Sequence, residues 1–179
     1  MINLCEYEMG FDASEIGFPS IANCRAVVLV TSGGLIGFHL AGTFNGTKQT
    51  DFVNFVKAQP HAGAQRALYI VSKVGTHSPT EFPVEAKSIA TALKFKGPLY
   101  VGDVTSFGGR GLYVVFVDVG HNTCAVTARA WDDAVDSQDH FKIPYVAAGR
   151  AVTMRTARTT MFTNLNTAGM KAVYPTALA

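Results

Sequence analysis

Charge and cysteine are both scarce in this chain, and long apolar runs are missing. Asp, Glu, Lys and Arg make up 16% of its 179 residues and leave a formal charge of +2, too little for the basic face that a nucleic-acid partner requires. The three cysteines, Cys5, Cys24 and Cys124, lie far apart with no CxxC pair. That excludes a disulfide framework and predicts reduced thiols. No apolar run approaches the roughly 20 residues of a membrane-spanning helix, so no membrane span is expected. Residues Met1 to Gly10 contain Glu6 and Glu8 and no basic stretch, so a cleavable signal peptide is not expected and the chain reads as soluble.

Apolar residues, in contrast, reach 48%, which excludes disorder and supplies a sizeable core. The length suits a single domain over residues 1–179. His61, His77, His121 and His140 show no metal-ligand spacing and read as loop residues. Asp132, Asp133, Asp136 and Asp139 lack the glycine and terminal glutamate of a calcium loop and read as a solvated acidic segment. The run Gly33-Gly-Leu-Ile-Gly37 is followed by strand-like residues where a dinucleotide site needs a helix, so that reading is rejected. Neither metal nor cofactor is expected.

The pattern predicts an α+β fold: a mixed, largely antiparallel sheet or sheets with two principal helices packed on them. Residues 1–23 read as an irregular N-terminal segment with room for a short strand or helix. Arg25–Val30 and Leu35–Leu40 flank Ser32-Gly33-Gly34 and predict a hairpin. Phe52, Phe55 and Val56 lie at helical spacing after Thr47 or Thr50 and before Pro60. Ala67–Val71 predicts a buried strand. Val84, Ile89, Ala90 and Leu93 form the stripe of a second helix with Pro83 in its first turn, ending at Gly97-Pro98. Leu99–Val101 is a short strand, Leu112–Val117 and Thr123–Ala130 a second hairpin, and 149–162 a further strand. The glycine-rich stretch 102–111 reads as a flexible connector, with a supply of backbone N–H groups to a site as the alternative. Residues 163–179 read as a loosely held tail.

The first hairpin carries the one pointed chemical feature. Side chains alternate with period two, and two turn registers are open: one sets Val28 opposite His39, the other Ala26. Both give the same parity, with Cys24, Ala26 and Val28 sharing a face with Gly37, His39 and Ala41. Val27, Leu29, Ile36, Phe38 and Leu40 populate the other face, which is expected to be core. The small residues of the Cys24 face are expected to leave open volume beside the thiol and the imidazole. An imidazole that takes a thiol proton creates a nucleophile, and it can return that proton to a leaving amine. Such a pair suits attack on a carboxamide, with backbone N–H groups holding the oxyanion. Asn23 or a backbone carbonyl is the candidate orienting group for the imidazole. The alternative is a small buried hydrophobe at a strand start.

The run Cys24-Arg-Ala-Val-Val-Leu-Val-Thr-Ser-Gly-Gly-Leu-Ile-Gly-Phe-His39 resembles the nucleophile hairpin of the toxin deamidases typified by the cytotoxic necrotizing factor catalytic domain and Burkholderia lethal factor. The order of elements over Glu85 to Val117 is similar to that of the chemotaxis receptor glutamine deamidase, and Gly149-Arg-Ala-Val-Thr-Met-Arg to a late strand of the lethal factor. The toxin motif Leu-Ser-Gly-Cys stands here as Ile21-Ala22-Asn23-Cys24, and the threonine six residues before the cysteine falls on Phe18. Ser20 and Asn23 are the substitutes for that third group. The resemblance implies a deamidase-like sandwich and a protein glutamine deamidase with Cys24 as nucleophile, His39 as base and acid, and no cofactor. It implies a host protein as substrate and a toxin or effector delivered by specialised secretion machinery or within a larger parent toxin. The alternative from another class is a non-enzymatic protein-interaction domain in which the hairpin is structural. The sequence leaves the oligomeric state open.

Overall fold

A computed structural model describes residues 1–59, 63–76, 80–131, 150–152 in backbone only, and 167–179. In chain order the elements are β1 (Ile2–Asn3), β2 (Glu8–Asp12), β3 (Glu15–Phe18), β4 (Cys24–Thr31), β5 (Gly34–Ala41), α1 (Gly46–Lys57), β6 (Gln65–Ser72), α2 (Glu81–Ala92), β7 (Leu99–Asp103), β8 (Gly111–Asp118), β9 (Cys124–Trp131), β10 (Arg150–Val152), β11 (Lys171–Val173) and β12 (Thr176–Ala177). Among the described residues the strands form two sheets, ordered β1-β3-β8-β9-β11 and β10-β2-β5-β4-β6-β7-β12. Most pairs are antiparallel; β1 with β3, β10 with β2, and β6 with β7 are parallel. The fold is therefore α+β with two helices and two mixed, mostly antiparallel sheets. No helix among the described residues is long and apolar enough to cross a membrane.

The hairpin β4–β5 is the centre of the larger sheet, and every residue of both strands is buried. One face meets the helices: Val27, Leu29, Ile36, Phe38 and Leu40 pack with Phe52, Phe55 and Val56 of α1 and Phe82, Ala86 and Ile89 of α2. The other face meets the second sheet. Ala26, Val28, Val30 and Leu35 share a core with Ile16, Phe18, Leu112, Val114 and Phe116. The layers run helices, seven-stranded sheet, five-stranded sheet. Burial of a Val, Leu, Ile or Phe side chain contributes about 1.5–3 kcal/mol, so the two cores on either side of the hairpin hold it rigidly.

Two glycines explain how the layers fit. The turn between Thr31 and Gly34 is two residues, Ser32 and Gly33, closed by the Thr31 hydroxyl, which donates to the Gly34 carbonyl at 2.8 Å and accepts from Gly33 N–H at 3.3 Å. Gly34 has φ +143°, and a Cβ there would stand 2.6 Å from the Asp12 carbonyl, so only glycine fits. Gly37 lies on the face toward the second sheet, where a Cβ would meet Leu4 Cδ1 at 2.7 Å and Ile16 at 3.1 Å. Its missing side chain lets the N-terminal segment approach.

Several expectations are corrected. Residues 1–23 are not irregular: they supply β1, β2 and β3, whose ladders of two to four residues are too short for periodicity to reveal. The tail is held at its described end, where β11 pairs with β9 and β12 with β7, one strand to each sheet. Val84 is 68% exposed, and the buried stripe of α2 is Phe82, Ala86 and Ile89. In the stretch 102–111, residues 102–103 end β7 and Gly111 opens β8, and between them Asp103 Oδ1 accepts from the N–H groups of Thr105 (2.9 Å) and Val74 (3.1 Å). Within the expected strand 149–162, β10 covers Arg150–Val152. Residue 149, residues 153–162, and the acidic segment with Asp132, Asp133, Asp136 and Asp139 fall outside the described residues, as do His61, His77 and His140.

Candidate active site

Cys24 opens β4 and His39 sits near the end of β5. The observed register sets Ala26 opposite His39 and Cys24 opposite Ala41, one of the two the sequence allowed. Cys24 and His39 are thus diagonal neighbours on one face, a backbone separation of about 7–8 Å that side chains can bridge. Small residues flank both, but they do not leave the open volume expected: they are small because the second sheet packs on them. Cys24 is 4% exposed and His39 is fully buried.

His39 is held by the N-terminal segment. Its Nδ1 lies 2.8 Å from the Leu4 carbonyl, and a carbonyl only accepts, so Nδ1 carries the proton and donates. In a neutral imidazole that makes Nε2 the basic nitrogen. The ring stands edge-on to Phe18, with centroids 6.0 Å apart. Phe18 thus forms an aromatic wall beside the imidazole. The Leu4 N–H donates to Gly17 and the Tyr7 N–H to the His39 carbonyl, so the chain on both sides of Glu6 is bound to the sheets. The ring makes a polar contact with a backbone carbonyl, that of Leu4; Asn23 is exposed, and Ser20, at φ +57°, packs against Gly111.

At Cys24 the thiol donates to Glu6 Oε1 at 3.5 Å. Burial, then the charge and hydrogen bond of Glu6, push the thiol well above the ordinary cysteine range, against the opposing pull of Arg25 and the Ala22 N–H. The resting sulfur is protonated. Burial and the nearby Glu6 and Cys24 also raise Tyr7, which stands in a left-handed turn at φ +64°. Lys48 of α1 lies over the Tyr7 ring at 5.2 Å and donates to the Ala41 carbonyl at 2.6 Å. The Ser72 hydroxyl donates to the Cys24 carbonyl at 3.0 Å. On the opposite face, Arg25 pairs with Glu85 of α2 at 2.6 Å and donates to the carbonyls of Asn23 and Gly42, which pins the start of β4 and the end of β5 together.

Leu4, Glu6, Tyr7 and Lys48 did not emerge from the sequence as site residues. The one available signal was Glu6-Tyr7-Glu8 interrupting an apolar N-terminal stretch. Cys5 is buried beneath the five-stranded sheet with Tyr113, Val115 and Trp131. Cys124 opens β9 and forms no disulfide. His121 lies in the turn between β8 and β9. Cys5 thus lies in a separate cluster, whereas Cys124 packs against the edge of the core that contains Cys24. Neither a protein-family model nor a curated protein sequence matches this chain.

Proposed function

We propose that this chain is a cysteine-dependent amidohydrolase that deamidates a glutamine side chain of a partner protein. The observation that carries the reading is the Nδ1 contact to the Leu4 carbonyl: it fixes the tautomer of a buried imidazole whose strand register makes it the diagonal neighbour of a cysteine. In the reaction the Cys24 proton passes to His39 Nε2 and the sulfur adds to the side-chain carbonyl carbon. The Ala22 backbone N–H, two residues before the nucleophile, is the candidate donor to the oxyanion. The C–N bond then breaks and nitrogen leaves as ammonia with the proton from His39. Water, deprotonated by His39, hydrolyses the thioester to glutamate and restores the thiol. The resemblance of the hairpin to the toxin deamidases adds a host protein as substrate and a toxin or effector role.

One observation favours a second reading, that of an interaction domain with a structural hairpin: the thiol is nearly buried and protonated at rest. The two part cleanly in one experiment. Wild-type chain and Cys24→Ser, matched by circular dichroism, are incubated with a mammalian cell lysate, and glutamine-to-glutamate conversion is read by peptide mass spectrometry. The amidohydrolase yields conversion sites that depend on Cys24. Identical spectra for the two proteins would leave the structural reading.

A further inference from the structure

We infer that the Glu6 side chain occupies the acyl subsite of this centre, the place where the side-chain carboxamide of a substrate glutamine must sit, so that the resting chain carries its own product-like occupant. The inference rests on the amidohydrolase reading above and identifies what that site accepts.

The argument begins with chemistry. Glutamine deamidation produces a glutamate side chain, and the Cys24 thiol already faces one: Glu6 Oε1 is 3.5 Å from Sγ. A carboxylate resists addition of a thiol at its carbon, so Glu6 stays intact where a carboxamide would be attacked. The placement is built. Cys5 N–H donates to Glu8 Oε2 at 2.8 Å, Glu8 N–H to the Cys5 carbonyl at 2.9 Å, and Tyr7 N–H to the His39 carbonyl at 2.8 Å. These bonds brace the backbone before and after Glu6, and Lys48 stacks on Tyr7 beside it. Glu6 itself is only half-buried, whereas Cys24 beneath it is nearly sealed. The carboxylate therefore stands between the sulfur and solvent. A substrate side chain reaching the sulfur from outside must replace it, and a glutamine has the same length and branching at the reacting end. This accounts for a thiol that is hidden and protonated at rest. The negative charge beside the sulfur leaves when Glu6 is displaced, and the thiolate then costs less to form.

The test converts the occupant into a substrate. Glu6→Gln places a carboxamide against Cys24, and the expected result is that the introduced glutamine is hydrolysed back to glutamate in the purified protein, as peptide mass spectrometry of the N-terminal segment reads. The same substitution in a Cys24→Ser background keeps its amide and controls for spontaneous loss. Glu6→Ala is expected to raise the iodoacetamide alkylation rate of Cys24 at neutral pH above that of the wild type, because it removes both the covering side chain and its charge; an unchanged rate counts against the assignment. Persistence of the amide with Cys24 intact overturns the subsite assignment. If lysate glutamines are still converted in a Cys24-dependent way, only the assignment is lost; if they are not, the amidohydrolase reading goes with it.

Discussion

The Leu4–His39 contact makes a quantitative demand. In His39→Leu the side-chain volume is nearly kept, but the Leu4 carbonyl loses its donor inside a fully buried segment. Leaving a buried acceptor without a partner costs about 1–3 kcal/mol, and the edge-on contact with Phe18 adds to the loss. For a chain of this length each kcal/mol lowers Tm by about 2–4 °C, so Tm should fall by about 2–12 °C in a calorimetric scan. His39→Asn is the informative partner. Its amide nitrogen stands near the place of Nδ1 and can still donate to Leu4, while nothing replaces Nε2. Its Tm should therefore lie above that of His39→Leu. Both variants should lose Cys24-dependent glutamine conversion in the lysate assay. If His39→Asn keeps that activity, the imidazole is not the base and the proposed chemistry is wrong. If His39→Leu melts with the wild type, the Leu4 bond does not fix the ring and the tautomer argument fails.

Three further outcomes follow from the packing and charge. Gly37→Ala drives a methyl into Leu4 and Ile16 and should cost about 1–3 kcal/mol in urea denaturation, because the overlapped atoms belong to fully buried side chains; an unchanged midpoint would show that the sheets can separate freely. Arg25→Met strands the mostly buried Glu85 carboxylate and should cost about 3–5 kcal/mol, whereas Arg25→Met with Glu85→Met should recover much of that loss; equal losses would show that the pair is not coupled. Stability should fall as pH rises above about 8.5, where cysteine titrates in the unfolded chain while burial and then Glu6 keep Cys24 protonated in the folded one. The unfolded state then binds fewer protons, giving up to about 1.4 kcal/mol per pH unit from this thiol, and Cys24→Ala should remove that share of the slope seen in denaturant midpoints.

The hairpin and the helices were legible because their signals are local. Branched apolar residues over Arg25–Val30, a glycine turn, and Phe52, Phe55 and Val56 at helical spacing need no knowledge of partners. The register was narrowed to two choices with the same parity, so Cys24 and His39 were placed on one face in either case. What lay on that face was not legible. A row of small side chains means open volume if nothing covers it and close approach if a second sheet does, and Gly37 against Leu4 and Ile16 shows that the second condition holds. The covering strands were themselves hidden: β1 pairs through Ile2 and Asn3 alone and β3 through four residues, lengths over which alternation cannot be told from chance. For the same reason β11 and β12 read as tail.

That failure bears directly on the site, because the segment read as irregular is its wall. Residues 4–7 perform three separate jobs within one turn of chain: the Leu4 side chain fills the space above Gly37, the Leu4 carbonyl fixes His39, and the Glu6 carboxylate covers Cys24. They are not equally secure. Leu4 is clamped between the sheets and its N–H is bound to Gly17, whereas Glu6 is half-exposed. Its contact with the thiol joins one solvent-accessible side chain to the start of β4, and such contacts open at far lower cost than packed core. Of the two contacts this segment makes with the hairpin pair, the Leu4 carbonyl on His39 is therefore the fixed one and the Glu6 carboxylate on Cys24 the more easily opened.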